Sequence, residues 1–186
     1  SQARLEEAIA QVDKALELDP LSPVFHADLA YLLLGNGQFD RAMQESLLAI
    51  EIDPYYWLAH MAQGLVLAYR GMAEEAIAAC VKARELNPCV EATAFLAHVY
   101  GLVGRREAAE SILEEMKELS RSGYLPPFYL GLVYCTLGET DQALEWLERA
   151  VEERDPTVSV LKGPLFDVLR ADPRYQALLQ RLRLAP

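Results

Sequence analysis

The chain has 186 residues, 52% of them hydrophobic, with a formal net charge of −11; this is ample for a continuous core and far from the clustered Lys and Arg on which nucleic-acid affinity depends. None of the 17 basic residues forms a run longer than Arg105-Arg106, and no apolar segment approaches the roughly 18 uninterrupted residues of a membrane helix, so direct nucleic-acid and membrane partners are not expected. The opening Ser-Gln-Ala-Arg-Leu-Glu-Glu lacks the basic-then-apolar pattern of a leader, and Cys80, Cys89 and Cys135 form no CxxC pair, which together predict a reduced, cytoplasmic setting.

Residues 3–18 place Leu5, Ile9, Val12 and Leu16 at helical spacing and stop at Asp19-Pro20, where proline excludes further helix. Counting back 34 from Ala42 and from Pro54 lands on Ala8 and Pro20. This first helix therefore reads as the second half of a repeat, which predicts a chain that continues upstream of Ser1. Four full units follow, near 23–56, 57–89, 90–123 and 124–156. Each reads as a helix, a glycine turn, a second helix and a closing turn that usually holds proline. First helices are predicted over about 24–35, 57–70, 90–103 and 126–137, and second helices over about 39–52, 73–86, 106–120 and 141–154. Asp40, Glu74, Glu107 and Asp141 fall near second-helix N-termini, where the backbone dipole favours negative charge.

Three columns fix one period. Ala30, Gly64, Ala97 and Gly131 step by 34, 33 and 34, and so do Gly37, Gly71, Gly104 and Gly138, and Ala42, Ala76, Ala109 and Ala143. Antiparallel helices approach closely only where the crossing residues lack bulk, which accounts for the first and third columns. Leu33, Leu67, Tyr100 and Tyr134 are expected to flank the crossings, with Leu47, Ile77, Leu113 and Leu147 supplying bulk on the second helices. After Pro156 the period is lost. Residues 157–186 read as a helical cap, with Leu165, Val168 and Leu169 on one apolar side. Asp172-Pro173 then starts a helix that carries Tyr175, Leu178, Leu179 and Leu182 on its buried face and Arg174, Gln180, Arg181 and Arg183 elsewhere.

Leu96-Ala97 with Tyr100, Leu130-Gly131 with Tyr134, the second-helix alanines and the closing prolines resemble the tetratricopeptide repeat, whose period is about 34 residues. The resemblance covers about residues 3–156. It implies an all-α fold, a right-handed superhelix of antiparallel helix hairpins (an α-solenoid), here with a C-terminal capping helix. Departures are His26, His60, Thr93 and Pro127 where an early tryptophan is usual, and Ser46 and Cys80 where a large apolar residue is usual. Residues 118–124, 142–150 and 167–179 are similar to the C-terminal ends of bacterial signalling proteins, in which such an array follows a winged-helix, serine/threonine kinase or nucleotide cyclase domain. That likeness implies a regulatory or scaffolding array.

No HExxH, GxxxxGK or strand-linked GxGxxG occurs, so no metal, cofactor or catalytic role is expected. His26 and His60 share a repeat position and read as structural. Cys80 reads as a small core residue and Cys89 as a loop thiol. The acidic runs Glu6-Glu7, Glu74-Glu75, Glu114-Glu115 and Glu152-Glu153 read as solvated faces.

In the family the first helices line the inner surface. By register this surface includes Val24, Ala27, Tyr31, Leu34, Leu58, Met61, Leu65, Ala68, His98, Phe128, Leu132 and Cys135, with Trp57 at its edge. It lacks the Lys, Arg and Asn of a carboxylate clamp. Two readings stay open: an apolar groove for a partner's helix or extended segment, with Tyr31 and Met61 as anchors, or packing of these residues against one another or against the protein's own segments. The expected function is non-catalytic protein–protein interaction. The alternative is self-association into a homodimer through Leu5, Ile9 and Val12 of the first helix.

Overall fold

The computed structural model describes residues 2–182. Its helices are α1 (Gln2–Leu18), α2 (Pro23–Gly35), α3 (Phe39–Ile52), α4 (Trp57–Tyr69), α5 (Ala73–Leu86), α6 (Val90–Leu102), α7 (Arg106–Ser122), α8 (Pro127–Thr136), α9 (Thr140–Glu152) and α10 (Pro173–Arg181). Two 3₁₀ turns, Pro156–Val160 and Pro164–Leu169, stand between α9 and α10. The described residues contain no strand. The chain divides into two compact units, Gln2–Ala92 and the part from Thr93 onward. Arg183 lies outside the described residues.

The turn glycines work through their backbone. Gly37, Gly71, Gly104 and Gly138 take φ between 72° and 78°, a left-handed conformation that L side chains rarely adopt. After Gly37, the N–H of Gln38 reaches back to the Leu33 carbonyl at 2.9 Å, and Met72, Arg105 and Glu139 repeat that bond to Leu67, Tyr100 and Tyr134. This is the six-to-one closure that ends a helix and turns the chain into the next. At the end of α9 the same closure, Asp155 to Ala150, is made around Arg154 at φ 56°.

The small columns lie at the crossings. Ala30, Ala97, Ala42, Ala76, Ala109 and Ala143 are fully buried. A Cβ on Gly131 would meet Leu147 Cδ2 at 2.8 Å, and one on Gly64 would strike Cys80 Sγ and come within 3.0 Å of the Ala76 carbonyl. One assignment on the second helices is corrected. Leu47 is 48% exposed, and the residue turned to the crossing is Ser46, fully buried, whose hydroxyl donates to the Met43 carbonyl at 2.9 Å. Ser46, Cys80, Leu113 and Leu147 form one column with steps of 34, 33 and 34, so the helix keeps its register and gives the polar residue to the core.

Val168 is likewise corrected. It is 65% exposed, while its neighbour Phe166, absent from the predicted apolar set, is fully buried. The segment there is a 3₁₀ turn with non-helical backbone at Phe166, so helical spacing does not choose the inward residues. Asp172 caps α10, its carboxylate accepting from the Arg174 N–H at 2.8 Å. Tyr175, Leu178 and Leu179 of that helix are buried as the spacing predicts, and Leu182 is half-buried.

Candidate functional site

In the N-terminal unit, α2 and α4 pack directly on each other as well as on their own partners α3 and α5. That packing closes Ala27, Leu34, Met61 and Leu65, all at most 5% exposed, so these predicted groove residues form the floor beneath the surface instead of the surface itself. Tyr31, Trp57, Leu58 and Ala68 are half-buried and Val24 is 41% exposed; these stay within a partner's reach. Leu58 and Tyr56 pack against a core of Ala27, Ala49 and Ala59.

Polar groups gather on this face that the sequence reading passed over. Asp28 of α2 and Glu91 of α6 are half-buried, and burial raises both carboxylates above their ordinary range. Tyr56 is raised by burial first, then by the nearby Asp28 and Glu91; Tyr31 is raised by burial and then by Glu91. The four groups are therefore electrostatic neighbours. Among the described residues, no ion pair or hydrogen bond joins Asp28 or Glu91 to a cation. Glu91 also breaks a pattern: it occupies the column of Val24, Leu58 and Leu125, with steps of 34, 33 and 34, and is the charged member of an otherwise apolar series.

In the C-terminal unit the corresponding residues are covered by the chain's own tail. Phe128, Leu132 and Cys135 of α8 are each at most 2% exposed. Phe166 meets Phe128 edge-on at 5.7 Å between centroids and stacks on Tyr175 at 6.4 Å, while the Cys135 thiol points to the Leu165 carbonyl at 3.8 Å. The Tyr175 hydroxyl donates to the Leu161 carbonyl. Phe128 and Leu132 are thus core residues here, occupied by segment 161–179.

The three histidines serve the fold. His26 and His60 lie near the carbonyls of Pro20 and Pro54, at 3.0 and 2.8 Å, one repeat apart. His98, only 1% exposed, places Nδ1 on the Thr136 hydroxyl, which itself donates to the Leu132 carbonyl at 3.0 Å. The single hydroxyl proton is spent there, so His98 Nδ1 carries the hydrogen. Burial pushes the His98 pKa down to about 3, and its ring is neutral. Cys80 and Cys135 are buried and pushed up to about 12. No group of three or more His, Cys, Asp or Glu among the described residues could hold a metal ion, and no described helix is long and apolar enough to cross a membrane. Ile9, offered as a dimer contact, is 6% exposed, with α1 packed on α2; Leu5 and Val12 are half-buried.

Tetratricopeptide repeat profiles match residues 12–44, 90–115 and 129–155. The small glutamine-rich tetratricopeptide repeat-containing protein 2 of Mycosarcoma maydis is 36% identical over 84 residues, 45% of this chain and 24% of that protein, so the match spans about a quarter of that relative's length. Among solved structures, TTC0263, a thermophilic TPR protein of Thermus thermophilus, superposes with a TM-score of 0.66 at 23% identity, covering 96% of this chain and 92% of its own. YrrB, described as a TPR protein with an unusual peptide-binding site, gives a TM-score of 0.51 at 22% identity, covering 91% of this chain and 89% of its own. Those two likenesses speak for the fold. With separate repeats matched along a single period and hairpins closed by the same glycine turn, the chain carries tetratricopeptide repeats.

Proposed function

We propose that the chain is a non-catalytic interaction scaffold whose N-terminal unit takes a peptide or helix bearing apolar side chains and at least one cation. The carrying observation is Glu91 in an apolar column beside Asp28, both half-buried and, among the described residues, without a cationic partner. Desolvated carboxylates cost stability unless paired. A partner's Lys or Arg would offset that cost, while Val24, Tyr31 and Leu58 would supply apolar contact. The chain's fold is also that of YrrB, for which a peptide-binding site is described. The likeness of residues 118–124, 142–150 and 167–179 to the C-terminal ends of bacterial signalling proteins supports a regulatory place in a larger cytoplasmic protein.

Fluorescence anisotropy with an amphipathic Leu/Lys helix and its Leu/Glu counterpart tests the reading. The Lys helix should bind and the Glu helix should not. Asp28→Asn with Glu91→Gln should weaken the Lys helix by about tenfold or more, about 1.4 kcal/mol. That double change removes only two of many negative charges, so diffuse attraction to an acidic protein would fall far less. Undiminished binding by the double variant would contradict the proposal, and concentration-dependent light scattering would favour self-association instead.

A further inference from the structure

We propose that the edge of the N-terminal unit formed by the turns after α1 and α3 docks an extended, proline-rich segment of a partner that also carries arginine. The two turns are one structure built twice. Glu17-Leu18-Asp19-Pro20-Leu21 and Glu51-Ile52-Asp53-Pro54-Tyr55 stand 34 residues apart. The N–H groups of Asp19 and Asp53 return to the Ala15 and Ala49 carbonyls at 2.9 Å, and the carbonyls of the same two residues accept from Ser22 at 3.3 Å and Tyr56 at 3.2 Å. A histidine ring of the following helix lies on each proline carbonyl, His26 on Pro20 and His60 on Pro54. Because α2 and α4 pack on each other, the turns that lead into them are neighbours.

This edge is both apolar and acidic. Leu18, Leu21 and Tyr55 are 90%, 73% and 76% exposed, and grouped apolar side chains of this kind mark interaction surfaces where scattered ones do not. Asp53 Oδ1 accepts from the Tyr55 N–H at 2.9 Å, which fixes the backbone from which that ring projects. Glu17, Asp19 and Glu51 are exposed, and among the described residues no ion pair or hydrogen bond joins them to a cation. No Lys or Arg occurs at positions 15–25 or 50–57. Apolar side chains rimmed by unpaired carboxylates complement an apolar segment that carries a cation, and they repel an anionic lipid surface or the same edge of a second copy.

Spacing selects the extended form. Helices in direct contact lie about 8–10 Å apart, and Leu21 and Tyr55 hold the same place ahead of α2 and α4. A polyproline II segment advances about 9.3 Å in three residues, so residues i and i+3 of the partner fall on Leu21 and Tyr55 in turn. Such a segment is already ordered before it docks and presents flat proline rings to an exposed aromatic. An arginine beside it reaches Asp19 or Glu51, where its guanidinium pairs with a carboxylate through two N–H groups. The reading does not depend on Asp28 or Glu91.

Fluorescence anisotropy of the full chain with a fluorescein-labelled Pro-x-x-Pro peptide bearing one arginine tests the proposal. The peptide should bind, and its counterpart with glutamate for arginine should not. Leu21→Ser with Tyr55→Ser, both exposed positions, should leave the melting curve in place and weaken binding by about tenfold or more. Asp19→Asn with Glu51→Gln should weaken it by about threefold and flatten its salt dependence. Asp28→Asn with Glu91→Gln should leave it unchanged, which separates this edge from the inner face. Absence of binding, equal binding of the glutamate peptide, or undiminished binding by Leu21→Ser with Tyr55→Ser overturns the proposal. So does concentration-dependent light scattering that those two changes abolish, which would give the edge to a second copy of the chain.

Discussion

Phe166 stands edge-on to Phe128 at 5.7 Å between ring centroids, and this contact distinguishes the two units. One first-helix face is covered by the chain itself, while the other carries half-buried tyrosines and carboxylates. Truncating Phe166 to Ala removes a fully buried ring at the centre of the Phe128–Phe166–Tyr175 stack. A loss of about 3–5 kcal/mol is expected. Amide exchange should show it concentrated in α8 and α10, with α2 and α4 little affected.

The crossing at Gly64 sets two effects against each other. Alanine there gains about 1 kcal/mol of helix propensity, but its Cβ would strike Cys80 Sγ and crowd the Ala76 carbonyl at 3.0 Å, and overpacking typically costs about 1–3 kcal/mol. Gly64→Ala should therefore destabilise by about 1 kcal/mol. Cys80→Ala in the same chain should recover part of the loss, and a double-mutant cycle in urea measures the coupling. The carbonyl contact remains, so recovery should be incomplete.

Thiol reactivity should separate the cysteines. Cys80 and Cys135 are buried with thiols pushed up to about 12, whereas Cys89 is partly exposed. At pH 8 the native chain should react rapidly with a thiol reagent at Cys89 alone, and at all three cysteines once denatured. Peptide mass mapping of the labelled chain checks the assignment.

Asp28 and Glu91 should trade stability for binding. Burial raises both carboxylates, so the folded chain binds protons more tightly than the unfolded one, and stability falls as pH rises out of the ordinary carboxylate range. Asp28→Asn with Glu91→Gln should flatten that slope in calorimetry. It should also raise Tm at neutral pH by about 1–3 °C, at about 2–4 °C per kcal/mol for a chain of this size, while weakening the cationic partner.

Much of the fold was legible because the repeat is written in residues whose reasons are local. A glycine at φ near 75° and a proline-terminated helix need no tertiary context, and α3 and α5 begin and end where the pattern put them. Leu47 was misassigned because composition favoured it, whereas the column through Cys80, Leu113 and Leu147 points to Ser46. Phe166 lay in a segment with no helical period to read. The inner face was predicted from first-helix register alone, which cannot tell a floor from a surface when α2 and α4 pack together, or when the tail covers α8. The signal for Glu91 was present in the sequence as a charge in the column of Val24, Leu58 and Leu125, and Asp28 became visible only once the helices were placed.

The division of labour between the units is tested most directly by amide NMR mapping of the full chain titrated with the Leu/Lys helix. Shifts are expected at Asp28, Tyr31, Tyr56, Leu58 and Glu91, with α8 and segment 161–179 unmoved. Shifts centred on Phe128, Leu132 and Phe166, or spread evenly over the acidic surface, would contradict it.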